Sequence, residues 1–169
     1  MGKDGAASTP TMAELLAVGL IALSLWFVHR RIQAVSDLYP LIRAAADRYK
    51  VPAPLIAAII DVESGGRSVK KWEPSIKDYA WGVMQVTTGT ARYMGYTGDP
   101  EGLLDPAVNI DIGTRYLKYQ LVRYRWNLVQ AISAYNAGSY TPRNVGYVNR
   151  VLKRMEYWAR RMASWGSGR

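Results

Sequence analysis

The chain has 169 residues, of which 49% are hydrophobic and 21% are charged, and its formal net charge is +9. This length and composition indicate one globular domain with a short additional segment, and they exclude a disordered chain. The absence of cysteine excludes a disulfide framework, a thiolate metal site and a cysteine nucleophile. The single histidine, His29, adjoins an apolar run, so neither a histidine-based triad nor a histidine-ligated metal is expected. Any chemistry therefore depends on carboxylates, amides and hydroxyls.

The positive charge is concentrated at the end of the chain. Residues 143–169 contain seven lysines and arginines and one acid, Glu156. Such a surface suits any polyanion, whether nucleic acid, anionic lipid or an acidic cell-wall polymer. No nucleic-acid-binding motif accompanies the charge, so nucleic acid is not the expected partner.

The N-terminal part divides into a polar start and an apolar run. Residues 1–11 are small and polar and are predicted to be flexible. Residues 12–33 include fourteen uncharged residues, Leu15 to Val28, close to the lower limit for a membrane-spanning helix. No small-residue cleavage site follows, which argues against a cleaved signal peptide. We predict an uncleaved membrane anchor, with a helix packed against another protein as the alternative.

The orientation of this anchor conflicts with an extracytoplasmic role. Arg30 and Arg31 follow the apolar run, and the positive-inside rule would keep the next domain on the cytoplasmic side. A protein delivered to the membrane from outside need not follow that rule.

The remainder, residues 36–165, is predicted to be one mainly helical domain. A helix begins near Pro54 and ends before Gly65 and Gly66, following the usual preference for proline at the start and glycine at the end. Sheet is expected only as a short hairpin within residues 67–85.

Glu63 is the candidate for chemistry at the end of that helix. It shares one helix face with three isoleucines: Ile56, Ile59 and Ile60. Apolar surroundings and the negative end of the helix dipole both raise the pKa of a carboxyl group, as a general acid near neutral pH requires. The alternative is a structural glutamate paired with one of the many arginines.

Five segments follow one another in a recognisable order: VESGG (62–66), WGVMQVTTGTA (81–91), DPAVNIDIGTRYL (105–117), ISAYNAG (132–138) and YVNRVL (147–152). They resemble the motifs of the soluble-lytic-transglycosylase (SLT) catalytic domain over about residues 38–155. The resemblance implies a mainly α, lysozyme-like α+β fold. It also implies an enzyme that cleaves bacterial peptidoglycan without a metal or cofactor. Its partner would be the peptidoglycan glycan strand.

The resemblance also implies roles for the residues around the catalytic acid. Glu63 matches the family's acid/base and Ser64 its usual follower. Tyr135 matches the tyrosine that hydrogen-bonds and orients the glutamate. Tyr147 matches a tyrosine that lines the sugar site.

Three further residues match the family's cleft. Gln85 corresponds to the glutamine that reaches the sugar, and Met84 to the methionine packed beneath the cleft. Asn136 corresponds to a cleft asparagine. For Met84 a core position is preferred over a ligand contact, and Asn136 could simply turn the chain before Gly138.

The link between ESGG and GVMQ is longer and more basic than in the family. The counterpart of the family's substrate-positioning serine is therefore open: Ser75 is preferred over Ser68. Aromatic side chains in this link could instead supply stacking surfaces for sugar rings: Trp72, Tyr79 and Trp81.

The resemblance implies a single-acid reaction. Glu63 would protonate the oxygen between N-acetylmuramic acid and N-acetylglucosamine, and the muramyl C6 hydroxyl would then close on C1 as a 1,6-anhydro ring. The alternatives are a goose-lysozyme-like muramidase, which hydrolyses the same bond, an inactive wall-binding or structural module, and a basic protein that binds membrane or DNA.

The expected setting is local opening of the wall by a membrane-anchored enzyme that acts from the periplasmic side. Its assembly partners would belong either to an envelope-spanning secretion machine or to a bacteriophage virion that drills the wall for genome entry. The orientation conflict favours the virion.

Overall fold

The computed structural model describes residues 11–166. The helices are α1 (Met12–Asp37), α2 (Tyr39–Tyr49), α3 (Ala53–Glu63), α4 (Thr88–Tyr93), α5 (Pro106–Arg123), α6 (Leu128–Ala137) and α7 (Val145–Gly166). The strands are β1 (Lys70–Glu73), β2 (Asp78–Trp81) and β3 (Val86–Thr87), and 3-10 turns cover Pro100–Leu104 and Pro142–Asn144. The mainly helical class is confirmed. The predicted flexible segment, residues 1–11, lies outside the described residues except for Thr11.

The N-terminal helix is longer than the predicted anchor. It begins with a capping box, in which the Thr11 hydroxyl accepts a hydrogen bond from the Glu14 amide and the Glu14 carboxylate accepts from the Thr11 amide. It is exposed from its first residue through Arg30 and is long and apolar enough to cross a membrane. It continues to Asp37 instead of ending near residue 33, because its last two turns pack on the domain and Val35 is buried in the core.

Helix α3 is the centre of the core. Its residues from Leu55 to Ile60 have no exposed surface, so it is buried on all sides and not only along the predicted isoleucine stripe. The reason is that α1, α2 and α7 all pack against it. A helix surrounded in this way needs apolar residues around its whole circumference.

Asp61 lies off the isoleucine stripe, as its spacing predicts, yet it is fully buried. Its carboxylate accepts hydrogen bonds from Arg31 on α1 and from Arg154 on α7, and from the Trp158 indole at 2.9 Å. The Arg31 guanidinium also donates to the Asp61 backbone carbonyl. A buried charge requires such partners, and these tie the three helices together two residues before Glu63.

The predicted hairpin is present, and a third strand extends it into a small antiparallel sheet in the order β1–β2–β3. Trp72 pairs with Tyr79, and Lys70 pairs with Trp81. Because side chains alternate across a strand, these four residues share one face of the hairpin, and Lys71, Glu73 and Ala80 share the other.

Candidate active site

Glu63 stands at the last position of α3, on one wall of a cleft of about 610 Å³. The opposite walls come from the β-hairpin, from the loop at Gln85 and from the end of α6. The cleft therefore forms where the central helix ends, and the rigid core beneath α3 fixes the position of the carboxyl group.

The carboxyl group of Glu63 is held by Tyr147. The Tyr147 hydroxyl donates a hydrogen bond of 2.5 Å to Glu63 Oε1 from the first turn of α7. Burial raises the pKa of Glu63 to about 7, while the Tyr147 hydrogen bond and the nearby Lys71 ammonium act in the opposite direction. Near neutral pH the group can therefore both release and accept a proton, as an acid/base catalyst must.

The two tyrosines exchange the contacts that the family resemblance implies. The Tyr135 hydroxyl donates to the Met84 carbonyl at 3.0 Å, so the expected hydrogen bond from Tyr135 to Glu63 is absent. Tyr147, expected only to line the sugar site, makes that bond instead. Burial raises the pKa of both hydroxyls well above the usual value, so both remain protonated donors. Tyr135 also lines the cleft and supports the loop that carries Gln85.

Gln85 lines the cleft in a strained backbone conformation, with φ at 48°. Its amide group donates to the carbonyls of Val69 at 3.0 Å and Gly82 at 2.8 Å. Because both partners are carbonyl oxygens, the group that faces them must be the Nε2 amide of Gln85. The Oε1 atom is then left to accept a hydrogen bond from a ligand. Four other residues share this left-handed backbone without lining the cleft, so it is the place of Gln85 in the lining that makes it a candidate: Lys50, Lys77, Arg125 and Trp126.

Ser64 and Met84 support the cleft and do not line it. Ser64 is buried, and its hydroxyl donates to the Val83 carbonyl at 2.7 Å, so it joins the end of α3 to the neighbouring loop instead of facing substrate. Met84 is fully buried, and its amide donates to Asn109 Oδ1 at 2.7 Å. Met84 is therefore a core residue, and the buried Asn109 is part of the scaffold that holds it.

Asn136 and Ser75 both line the cleft. Asn136 follows Tyr135 on α6, and its Oδ1 accepts a hydrogen bond of 3.1 Å from Asn144. That contact leaves the Asn136 amide hydrogens for a ligand. Ser75 lies in the exposed turn between β1 and β2. Ser68 instead donates to the Leu104 carbonyl, away from the cleft lining.

The aromatic side chains of the hairpin are on the wrong face for the expected stacking role. Lys71 and Glu73 line the cleft, whereas Trp72 and Tyr79 contact each other on the other face with ring centroids 4.9 Å apart. The Trp81 ring lies 5.7 Å from Tyr79 on that face and is buried in the core. Strand alternation sends the two sets in opposite directions, so the prediction of aromatic sugar stacking inside the cleft is wrong.

Glu73 is the second carboxylate in the cleft lining, and it forms an ion pair of 2.7 Å with Lys71. No sequence pattern marks Lys71 as a cleft residue. The pairing register of β1 with β2 shows that Lys71 lies on the face of the hairpin toward Glu63. Two further acids of the domain have structural contacts: Asp78 accepts from the Gly89 amide at 2.9 Å, and Asp105 caps α5. Within residues 11–166 no group of three or more acidic, histidine or cysteine residues could hold a metal ion.

The family model described as "Transglycosylase SLT domain" matches residues 40–156, which include every cleft wall described above. The chain belongs to the SLT domain family. The matched region begins after the end of α1, so the whole of that helix lies outside it.

Curated relatives of this SLT domain carry transglycosylase names. The chain is 33% identical to the soluble lytic murein transglycosylase of Escherichia coli K12 over 136 residues, covering 74% of this chain and 20% of that protein. It is 40% identical over 101 residues to the endo-type membrane-bound lytic murein transglycosylase A of Cronobacter sakazakii, covering 54% and 47%. The chain thus spans less than half the length of these relatives.

Solved structures agree on the fold. The lytic transglycosylase Slt of Pseudomonas aeruginosa, an inactive mutant, superposes with a TM-score of 0.65 at 22% identity, covering 73% of this chain and 24% of that one. The 70-kDa soluble lytic transglycosylase of Escherichia coli gives a TM-score of 0.53 at 30% identity, covering 68% and 19%. The predicted lysozyme-like fold is confirmed.

Proposed function

We propose that the chain is a peptidoglycan lytic transglycosylase that cleaves the bond between N-acetylmuramic acid and N-acetylglucosamine. The observation that carries this proposal is Glu63, a carboxyl group with a pKa of about 7, held by Tyr147 at the wall of a cleft in an SLT domain. The transglycosylase names of the relatives support the same activity.

The reaction follows from one carboxyl group acting twice. Protonated Glu63 gives its proton to the glycosidic oxygen as the bond to the muramyl C1 breaks. The substrate's acetamido oxygen stabilises the positive charge that develops at C1. Glu63 then takes the proton of the muramyl C6 hydroxyl, whose oxygen bonds to C1 and forms the 1,6-anhydro ring. Atoms balance without water.

The roles proposed for the other cleft residues follow from the polar atoms that their contacts within the protein leave available. Tyr147 orients Glu63, and Gln85 Oε1 and the Asn136 amide group bind the acetylated sugars. Ser75 is the candidate for the family's substrate-positioning serine, since it lines the cleft and Ser68 does not. Tyr135 positions the loop of Gln85 through the Met84 carbonyl.

We also propose that α1 anchors the enzyme in a membrane and that the SLT domain acts on the periplasmic side. The length and exposure of α1 support this, as do relatives named membrane-bound lytic murein transglycosylases, such as that of Yersinia enterocolitica, 37% identical over 114 residues. Arg30 and Arg31 favour delivery by a virion over insertion from the cytoplasm. An envelope-spanning machine is the other setting.

The test is release of soluble fragments from purified peptidoglycan by the full chain in detergent. Glu63→Gln should reduce the rate by about 10²–10⁴-fold, the usual contribution of a general acid. Arg160→Gln, an exposed change on α7, is the matched control and should retain the rate. Equal rates for the native chain and Glu63→Gln would contradict the proposal.

Hydrolysis is the second candidate, and Glu73 is the observation that favours it. A second carboxylate across a cleft can activate water, as in inverting glycosidases. The ion pair with Lys71 occupies Glu73, which argues for the single-acid route. Reducing ends in the products that disappear in Glu73→Gln would establish hydrolysis.

A further inference from the structure

The apolar helix joins the SLT domain without a flexible linker. α1 is continuous from Met12 to Asp37, and its last two turns are part of the domain. Val35 lies in the core, and Arg31 binds the buried Asp61. The backbone of Gly66 packs directly on the α1 backbone: a Cβ at Gly66 would lie 2.8 Å from Ala34 C and Val35 N.

The direction of α1 relative to α3 follows from contacts at both ends of α3. Near the catalytic end, Arg31 contacts Asp61 and Gly65. Near the other end, Tyr39, the first residue after α1 and its C-cap, lines a surface cavity together with Pro54. The last turns of α1 therefore run antiparallel to α3. The apolar part of α1 leaves the domain on the side at which Glu63 stands.

The catalytic end of the domain is also close to the end of the apolar segment. Ala34, which touches Gly66, lies six positions after Val28, the last residue of the uncharged apolar run. At 1.5 Å per residue the distance along α1 is about 9 Å. Arg30 lies over the Trp26 ring at 4.8 Å, a pair typical of the boundary between lipid and water.

We propose that α1 holds the catalytic cleft rigidly at the membrane surface, so that the enzyme acts preferentially on glycan strands attached to a lipid of the same membrane. This inference rests on the proposed function and adds the location of the substrate. Arg67 and Arg150 are exposed near Glu63, next to Ser64 and Tyr147 respectively, and their charge complements anionic headgroups on that side.

The geometry is tested with the full chain in lipid vesicles. The chain has no cysteine, so a single cysteine at Arg67→Cys or at Lys50→Cys can carry a fluorescent label. Both positions are exposed, and they lie at opposite ends of α3. Energy transfer to acceptor-labelled headgroups should be stronger from position 67. Equal or stronger transfer from position 50 would overturn the proposal.

The preference is tested on two forms of one substrate: glycan strands linked to lipid in the same vesicles, and the same strands released from lipid. The full chain should cleave the linked strands about tenfold faster or more. The reason is that the shared membrane raises the effective concentration of these strands at the cleft, which α1 holds at a fixed distance from the membrane. A Gly-Ser linker of about 15 residues inserted between Arg30 and Arg31 keeps the anchor. The distance of the cleft from the membrane surface is then no longer fixed.

The linker variant should keep its rate on released strands and show a smaller preference for linked ones, since it keeps the shared membrane but loses the fixed distance between cleft and membrane. Equal rates of the native chain on both substrates, or an unchanged preference in the linker variant, would overturn the proposal. Failure of both proteins to cleave released strands would instead contradict the proposed transglycosylase activity itself. The two failures are therefore distinguishable.

Discussion

Two opposing influences set the protonation of Glu63. Burial at the end of α3 disfavours the carboxylate and dominates, and the hydrogen bond from Tyr147 partly offsets it. A catalyst that donates a proton and then recovers one works best when its pKa is near the working pH. The pKa of about 7 satisfies that condition, and Tyr147 contributes most, ahead of Lys71, to keeping it from rising further.

Tyr147→Phe should move the pH profile of kcat/KM toward higher pH. Glu63 must be protonated to start the reaction, so the native rate falls as pH rises above about 7. The Tyr147 hydrogen bond lowers the pKa of Glu63, and its removal raises that pKa and the pH at which activity is lost. Tyr135→Phe is the matched control, because its hydroxyl bonds to Met84. An alkaline limb that stays in place in Tyr147→Phe would contradict this account.

The sequence identifies the acid but not its partner. Apolar spacing along α3 suffices to place Glu63 at the end of a buried helix. Which of two tyrosines reaches it depends on how α6 and α7 pack against α3, and that packing is a tertiary property. The family motifs name both tyrosines without distinguishing their contacts.

At the scale of elements, Asp61 is the residue that joins α1, α3 and α7. Asp61→Asn should lower the free energy of unfolding by about 3 kcal/mol, since it leaves two arginines without a counter-charge beside a buried amide. The partial exposure of Arg31 and Arg154 keeps the expected loss at the lower end of the usual range. Denaturant unfolding of the full chain in detergent measures it.

Arg160→Gln is the control for Asp61→Asn. It breaks an exposed ion pair with Glu156 one turn earlier on α7 and should cost less than about 1 kcal/mol. A loss of stability in Asp61→Asn as small as that of Arg160→Gln would contradict the role assigned to the Asp61 network.

Gly66→Ala should detach α1 from the domain. The backbone at Gly66 has φ of 82°, and a Cβ would meet the α1 backbone, which cannot move away as a side chain could. Gly138→Ala is the matched control, because φ is 76° there and no atom lies within 4 Å of the added Cβ.

Both glycine substitutions carry the cost of left-handed backbone, about 1–2 kcal/mol. Thermal unfolding should show a clearly larger loss of stability for Gly66→Ala, accompanied by proteolytic cleavage near the end of α1. Equal losses for the two variants would show that α1 does not pack on Gly66.

Sequence patterns predict the elements better than their boundaries and faces. The apolar run predicts α1, but its last two turns are less apolar and are retained by docking on α3, so the predicted end falls short. A short hairpin is expected within residues 67–85, and β1 and β2 form it. Its pairing register is not predicted, and the register decides that Lys71 and Glu73 face the cleft while Trp72 faces away.

At the scale of the whole molecule, the SLT domain and α1 form one unit whose catalytic end lies on the side of the apolar segment. The fold and the order of motifs identify the family from sequence alone. The position of the cleft relative to α1 is set by the ion pair of Arg31 with Asp61 and by the close packing at Gly66, and no local pattern in the sequence contains that information.

The most direct measurement is mass spectrometry of the fragments that the full chain releases from purified peptidoglycan, beside those from Glu63→Gln. The account predicts fragments that end in 1,6-anhydro-N-acetylmuramic acid, lighter by one water than reducing ends, and their loss in the mutant. Fragments with reducing ends, or anhydro fragments still formed by Glu63→Gln, would contradict the single-acid transglycosylase mechanism.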